Sequence, residues 1–329
     1  MQQDARHLDL VIFGAGVLGS LYAALLKEAG HRVTLVARGR RYEDLVEHDI
    51  VLERFDTGER TTISGVRFVD RMPHDEHFDA CIVLVQRTQI EEALPTLAAN
   101  TRIPAFVFMH NMLDGPEALI DALGSDRVLL GHANAGGERD GHVVRYMLAE
   151  RMMLGELDGR RTERVERIAR AFESTGVPVD ISGDSDAWKR CHVGLVSPFA
   201  NAMYMVGGCN YRLAHDTDAL KLCVKGVREG LEVVRAHGFA LEPRRLRAIF
   251  AIPRFVLVPL FRRVLDSELM DIGGARHARA ARDEMTKLSE ELLEMADGSG
   301  VETPTLRKLH AYTDENRAPL LPPLTEART

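Results

Sequence analysis

The chain reads as an α/β protein in two parts, an N-terminal doubly wound parallel sheet followed by an all-helical C-terminal half. Three observations predict this. The apolar run at residues 8–13 leads straight into Gly14-Ala15-Gly16-Val17-Leu18-Gly19 and then into a helix-like stretch at 21–30. Strand-like apolar runs then alternate with helix-like segments, the rhythm of βαβ units. From Ala187 onward nearly every segment has helical periodicity and no further strand signals appear. With 329 residues the chain exceeds the usual size of one domain. The change of texture at Ser182-Gly183-Asp184-Ser185-Asp186 divides it into domains 1–182 and 183–329.

In the first unit, Gly14 permits a tight turn, Gly16 lets the backbone approach a pyrophosphate, and Gly19 allows close helix–strand packing. The following helix N-terminus attracts the anion. Gly14, Ala15, Gly16, Val17, Leu18 and Gly19 therefore form the candidate dinucleotide loop of a Rossmann-type domain. The second strand, residues 31–37, ends in Arg38-Gly39-Arg40-Arg41, where an NAD-specific protein places an acid to hold the ribose 2′-hydroxyl. A guanidinium there suits a 2′-phosphate, so NADP (NADPH) is the expected cofactor and Arg38 its expected contact. Arg40 and Arg41 also fit a solvated start to the next helix.

Short strand-like pieces at 50–54 and 61–68 precede residues 78–85, a near-continuous apolar run suited to a buried parallel strand. A helix at 89–98, a strand at 104–109 ended by His110-Asn111, and a helix at 115–123 follow. Residues 128–134, 143–145 and 152–155 read as strands of a sheet extension, then come a helix at 162–175 and a strand at 177–181. Catalysis is expected in a cleft between the two domains, with Gln86, Arg87, His110 and Asn111 at the carboxyl ends of strands. The most apolar run, 249–261, is too short to span a bilayer and is interrupted by Arg254 and two prolines. It reads as a kinked core helix, or as a substrate-lining or subunit-contact segment. The proline-bearing tail at 318–329 reads as irregular and peripheral.

Composition excludes several classes. A net charge of −7 with no sustained basic face argues against a nucleic-acid partner. Four cysteines without CxxC spacing and no signal-like N-terminal arrangement lead to an expectation of a cytoplasmic protein with no membrane partner. Thirteen histidines lack ligand spacing, so no metal site is expected. The apolar stretches 200–206 and 255–261 exceed what the helical half buries readily, which makes a homodimer plausible.

These residues taken together resemble the ketopantoate reductase family. The resemblance rests on the GAGVLGS loop, Arg38 after the second strand, Val107-Phe108-Met109-His110-Asn111, and the glycines Gly131, Gly141 and Gly155. It continues in Ala187-Trp188-Lys189-Arg190 opening a long helix with Ser197-Pro198, and in Glu284 ahead of Gly300-Val301-Glu302-Thr303-Pro304. It implies a helical second domain like that of 6-phosphogluconate dehydrogenase and reduction of a 2-keto acid by NADPH, with a lysine of the second domain's first helix as general acid. An ammonium placed at the carbonyl oxygen both stabilises developing charge and donates the proton. Anchoring on Pro198 puts Lys189 in the lysine's place, whereas anchoring on Trp188 puts Arg190 there; Lys189 is chosen because an always-charged Arg190 is a poor proton donor. The resemblance also implies that Glu284 hydrogen-bonds substrate hydroxyl or cofactor ribose, and that Asn111 braces the nicotinamide or the lysine. Ser197 and Asn210 are implied substrate contacts, with Gln86 and Arg87 on the cofactor side. Glu284 sits among other charged residues and reads equally as part of a solvated helix face.

The departures are concentrated in the substrate half. Val193 stands where the family carries an asparagine, and Gly273-Gly274-Ala275-Arg276-His277-Ala278 replaces its substrate segment. The expected function is an NADPH-dependent reductase of a 2-keto acid or related small carbonyl compound, less polar or larger than ketopantoate. The alternatives are a true 2-dehydropantoate 2-reductase of pantothenate synthesis and a non-catalytic NADP(H)-sensing protein.

Overall fold

A computed structural model describes residues 7–133, 135–148 and 151–321. The N-terminal unit is built on strands β1 (Asp9–Phe13), β2 (Arg32–Val36), β3 (Ile50–Arg54), β4 (Arg60–Ile63), β5 (Arg67–Val69), β6 (Ala80–Val83) and β7 (Phe106–Phe108). Strands β8 (Val128–His132), β9 (Ala135–Asp140), β10 (Val143–Leu148), β11 (Met152–Glu156) and β12 (Val179–Ile181) complete it. Its helices are α1 (Val17–Glu28), α2 (Arg40–His48), α3 (Ile90–Ala98), α4 (Glu117–Leu123) and α5 (Glu163–Glu173).

Eight strands form one sheet in the order β12-β11-β8-β7-β6-β1-β2-β5. All its neighbours are parallel except β11 against β8. The central strands β1, β6 and β7 consist almost wholly of buried apolar residues, as strands covered on both faces must. Helix Thr162 Oγ1 caps α5 by accepting from the Val165 amide, which sets where that helix begins.

The sheet extension is the main correction. Residues 61–68 are not one strand: β4 and β5 are separate and lie in different sheets. Strand β10 leaves the main sheet to join a second one in the order β4-β3-β10-β9, in which Val51 pairs with Val143. Strand β9 carries two glycines and charged residues with little alternation, so no strand was expected there. This second sheet packs against α1.

The division of the chain also differs from the expected one. The N-terminal unit runs to Asp186 rather than 182, and Asn111–Asp114 belongs with the helical unit. Ser185 Oγ donates to the Glu156 carbonyl at 3.1 Å, tying residue 185 to the first unit. Arg190 donates to the Leu113 carbonyl, holding the short stretch to the second.

The helical unit contains α6 (Ser185–Met205, whose first two residues precede the division), α7 (Asn210–His215), α8 (Thr217–Ala236), α9 (Ala248–Ala251) and α10 (Arg254–Leu265). It continues with α11 (Glu268–Met270), a π-helical segment (Asp271–Arg276), α12 (His277–Ala280), α13 (Arg282–Asp297) and α14 (Pro304–His310). Gly194 of α6 and Gly230 of α8 face each other so closely that a Cβ on Gly230 would lie 2.3 Å from the Gly194 carbonyl oxygen. That contact lets the two longest helices cross backbone to backbone. Glu229 Oε2 accepts from the Thr305 and Leu306 amides, both at 2.9 Å, and so caps α14 from a neighbouring helix.

The apolar run 249–261 breaks at Ile252-Pro253 into α9 and α10. Ile249, Leu257 and Phe261 are buried as a core reading requires, but Phe255, Val256 and Leu260 are exposed, so that reading holds for one face only. In the tail, residues 318–321 form no helix or strand, although the Leu320 amide donates to the Met205 carbonyl at 2.8 Å. Pro322 and Pro323 lie outside the described residues.

Candidate active site

The candidate residues fall into two groups, one on each unit. On the N-terminal unit the glycine loop has the geometry a dinucleotide needs. Gly14 has φ +108°, and a Cβ there would lie 2.5 Å from the Leu84 carbonyl oxygen. A Cβ on Gly19 would lie 1.7 Å from the Gly14 carbonyl oxygen, so α1 packs onto the turn only with hydrogen at that position. Around Gly16 the space is open, with no atom within 4 Å of a Cβ position. Gly16 is also the N-cap of α1, no side chain caps that helix, and its first turn holds no acid. The leading amides of a twelve-residue helix are thus available to an anion, and these residues fit a dinucleotide pyrophosphate.

The arginines after β2 divide sharply. Arg38 is 70% exposed, with Nη1 3.5 Å from Glu92 Oε1, a loose surface pair. Arg40 is exposed. Arg41, which was open to a solvated reading, is buried: Nε donates to the Ala15 carbonyl at 3.1 Å, Nη2 to Ser20 Oγ at 2.8 Å, and Nη1 to the His142 carbonyl at 3.4 Å. Burial, and then the charge of Arg139, push its pKa down to about 10, so the guanidinium remains charged at neutral pH. No sequence signal marks this residue, because its acceptors lie 26, 21 and 101 positions away.

Gln86 is exposed and forms a reciprocal cap with Gln89, whose Oε1 accepts from the Gln86 amide at 3.1 Å. Arg87 is buried, with Nη1 3.8 Å from Glu91 Oε1. Neither presents the extended, solvent-facing cation of a typical phosphate ligand.

Asn111, Lys189, Ser197, Asn210 and Glu284 all belong to the helical unit. Lys189 is only 2% exposed and Glu284 only 3%, so the solvated-face reading of Glu284 is wrong. Burying an ionisable side chain this deeply is costly and is sustained only by specific surroundings. Arg190, the rival to Lys189, is committed elsewhere: besides its bond to Leu113, its Cζ sits 4.2 Å from the centre of the Phe239 ring. Adjacent residues on a helix point about 100° apart, which is how one is drawn into that clamp and the other is not.

One residue that the sequence does not single out, His192, accompanies Lys189. His192 stacks on Trp188, one helical turn earlier, with ring centres 5.2 Å apart and planes 11° from parallel. Its pKa is pushed down to about 4, chiefly by burial, then by the charges of Lys189 and of His277 at the start of α12. The histidine at i+3 from a candidate lysine was the available signal, but spacing alone could not exclude an ordinary core histidine.

Asn111 Oδ1 and Ser197 Oγ are buried without a hydrogen-bond partner in the structure, as an inward-facing polar site would leave them. Val193, one turn after Lys189, is completely buried. Asn210 is fully buried and its Nδ2 donates to the carbonyls of Leu265 and Ser267 at 2.8 and 3.2 Å. Its amide nitrogen ties α7 to the end of α10, while its Oδ1, like that of Asn111 and the Ser197 hydroxyl, is buried without a hydrogen-bond partner in the structure. Among the described residues no group of His, Cys, Asp and Glu could hold a metal ion, and no helix is long and apolar enough to cross a membrane.

Comparison with known proteins bears on both groups. Residues 10–159 match the family model described as ketopantoate reductase PanE/ApbA. The 2-dehydropantoate 2-reductase of Pyrococcus horikoshii is 23% identical over 247 residues, covering 73% of this chain and 78% of that protein. That of Aquifex aeolicus is 22% identical over 308 residues, covering 91% and 93%. The fold is that of the crystal structure of 2-dehydropantoate 2-reductase from Geobacter metallireducens, with a TM-score of 0.76 at 19% identity, covering 94% of this chain and all of that one.

Proposed function

We propose, from the premise that this chain is a divergent member of the ketopantoate reductase family, that it is an NADPH-dependent reductase of a 2-keto acid or related carbonyl compound. The observation that carries this reading is the near-complete burial of Lys189 on α6, in a unit that also buries Glu284 and leaves Asn111 Oδ1 without a partner. The open Gly16 and the uncapped start of α1 support a dinucleotide on the other unit. Arg38 and the lack of an acid after β2 support NADPH over NADH.

When bound, the nicotinamide supplies a hydride to the carbonyl carbon. Lys189 Nζ holds the carbonyl oxygen, compensates the negative charge that grows there, and gives up a proton to yield the hydroxyl. His192, kept neutral near pH 7, adds no second charge beside the ammonium. In this reading Glu284 accepts from the new hydroxyl or from a ribose. Burial of Val193, which has no amide to offer, supports a substrate less polar or larger than ketopantoate. Ketopantoate itself is the second reading, supported by the names of the relatives.

The test follows loss of NADPH with ketopantoate and with bulkier 2-keto acids, for the parent and for Lys189→Ala. The expected outcome is turnover of at least one bulkier 2-keto acid, and a fall of about 10³-fold in kcat for the variant with NADPH affinity held. Unchanged kcat in Lys189→Ala would remove the lysine from the chemistry. NADPH binding without turnover of any compound would favour the sensing role instead.

A further inference from the structure

We propose that the groove between α8 and α10 binds an amphipathic carboxylate, an alkyl or acyl chain that ends in one carboxyl group. Helix α10 packs against α8, and the two enclose a cavity of about 700 Å³. That volume falls among sites for small ligands, about 300–1,000 Å³. Its walls are apolar, with Leu222 and Val224 from α8 and Phe255, Val258 and Pro259 from α10. Phe255 is 79% exposed, more than any other large apolar side chain among the described residues. A hydrocarbon chain lying in the groove covers that ring and takes apolar surface out of water. The groove is a fixed feature, because α10 is anchored from its other side. Leu257 and Phe261 are buried, Phe261 stacks on Phe199 with ring centres 5.4 Å apart, and Arg262 Nε donates to the Ala214 carbonyl at 2.9 Å.

Charge sets the other end of the ligand. Lys221, Lys225 and Arg254 line the same groove, against the single acid Asp218 among the described residues there. Asp218 pairs with Lys221 at 3.1 Å, but both side chains are well exposed, so the pair is weak and open to exchange. Lys225 Nζ lies 3.7 Å from Glu229 Oε1, and the other oxygen of that carboxylate already accepts the Thr305 and Leu306 amides. Arg254 has no ion-pair partner among the described residues. Arg228, three residues beyond Lys225, spends Nη2 on the carbonyls of Ile249 and Ile252 at 2.7 and 2.5 Å, and its Nε is buried without a partner. Burial, and then the charge of Arg254, hold this guanidinium below its ordinary pKa, as two like charges set close together require. An anion entering the groove relieves that repulsion and makes charge-assisted hydrogen bonds with Lys225 and Arg254. A phosphate leaves the apolar walls uncovered, and a neutral hydrocarbon leaves the cations unused. One carboxylate at the end of an apolar chain satisfies both. A bilayer surface fits less well, because it is too broad to enter a groove and meets the exposed carboxylate of Asp218.

Isothermal titration calorimetry of octanoate into the full chain tests this, with 1-octanol as the neutral chain of equal length. Octanoate is expected to bind saturably, one molecule per chain, about tenfold tighter than 1-octanol. Arg254→Ala should weaken octanoate about tenfold and leave 1-octanol unchanged. Phe255→Ser, at a position too exposed for the fold to depend on it, should weaken both ligands about tenfold. Neither variant should change NADPH affinity or the circular dichroism spectrum. Absence of saturable octanoate binding overturns the proposal, as does equal affinity for the two ligands or binding indifferent to Arg254→Ala and Phe255→Ser. Octanoate binding that Lys189→Ala abolishes, while these two variants retain it, also overturns it and moves the ligand to the candidate active site. Binding to phosphatidylglycerol vesicles without binding of free octanoate overturns it and assigns the groove to a membrane surface.

Discussion

Arg41 Nε donates to the carbonyl oxygen of Ala15 at 3.1 Å, fastening the first turn of α2 to the middle of the glycine loop. The same guanidinium holds Ser20 Oγ, which itself donates to the Ala15 carbonyl at 3.2 Å. A buried cation thus stands behind the loop whose open side, at Gly16, is the candidate dinucleotide site.

Arg41→Met should therefore weaken NADPH and NADH binding by the same factor, about tenfold, since the loop serves the pyrophosphate common to both. It should also cost about 2 kcal/mol of stability by removing the charged donor to the Ala15 carbonyl, which keeps only Ser20 Oγ, and to Ser20 Oγ itself. Arg38→Ala should weaken NADPH alone and leave NADH and stability unchanged. Fluorescence titration of both dinucleotides separates the two arginines. Equal discrimination ratios in both variants would reject this assignment.

A pH dependence follows from His192. Its folded pKa, about 4, lies below the ordinary histidine value of 6.5, so the unfolded chain binds the extra proton first. The neutral buried ring contributes stability that is whole above about pH 6.5 and is progressively lost as pH falls toward 4. Trp188 stacks on it, and the charges of Lys189 on its own helix and of His277 on α12 disfavour its protonation. His192→Gln should lose less stability than the parent between pH 7 and pH 5 in urea titrations, by about 1–2 kcal/mol. Parallel loss in both proteins would mean that other groups govern the acid limb.

Glu229→Ala removes the acceptor for two amides at the start of α14. The expected loss is about 1–2 kcal/mol in denaturant unfolding. Glu229→Gln, which keeps one acceptor oxygen, should recover part of it. Because Glu229 is far in role from the dinucleotide loop, NADPH affinity below the melting transition should not move.

The strand, glycine loop and helix at residues 9–28 were legible because every requirement there is local. A turn with positive φ at Gly14 and a hydrogen at Gly19 are demanded by atoms within a few residues of each other or on the neighbouring strand. The alternation of strands and helices, and the helical second half, followed from side-chain periodicity for the same reason. Lys189 and Glu284 were located by resemblance, yet their burial could not be read from a segment dense in charge.

What only the tertiary structure decided were pairings between distant parts of the chain. Val51 against Val143 made a second sheet from strands that seemed to extend the first. Asn111–Asp114 was drawn to the helical unit by Arg190, 77 residues from Leu113. Arg41 turned from a solvated helix start into a clamp, and the Asn210 amide nitrogen became a brace, because carbonyls elsewhere in the chain came within reach. Local sequence sets backbone conformation and which face is apolar, since those depend on neighbours along the chain. Where a polar side chain spends its hydrogen bonds depends on which partners folding brings beside it, and that is settled only in three dimensions.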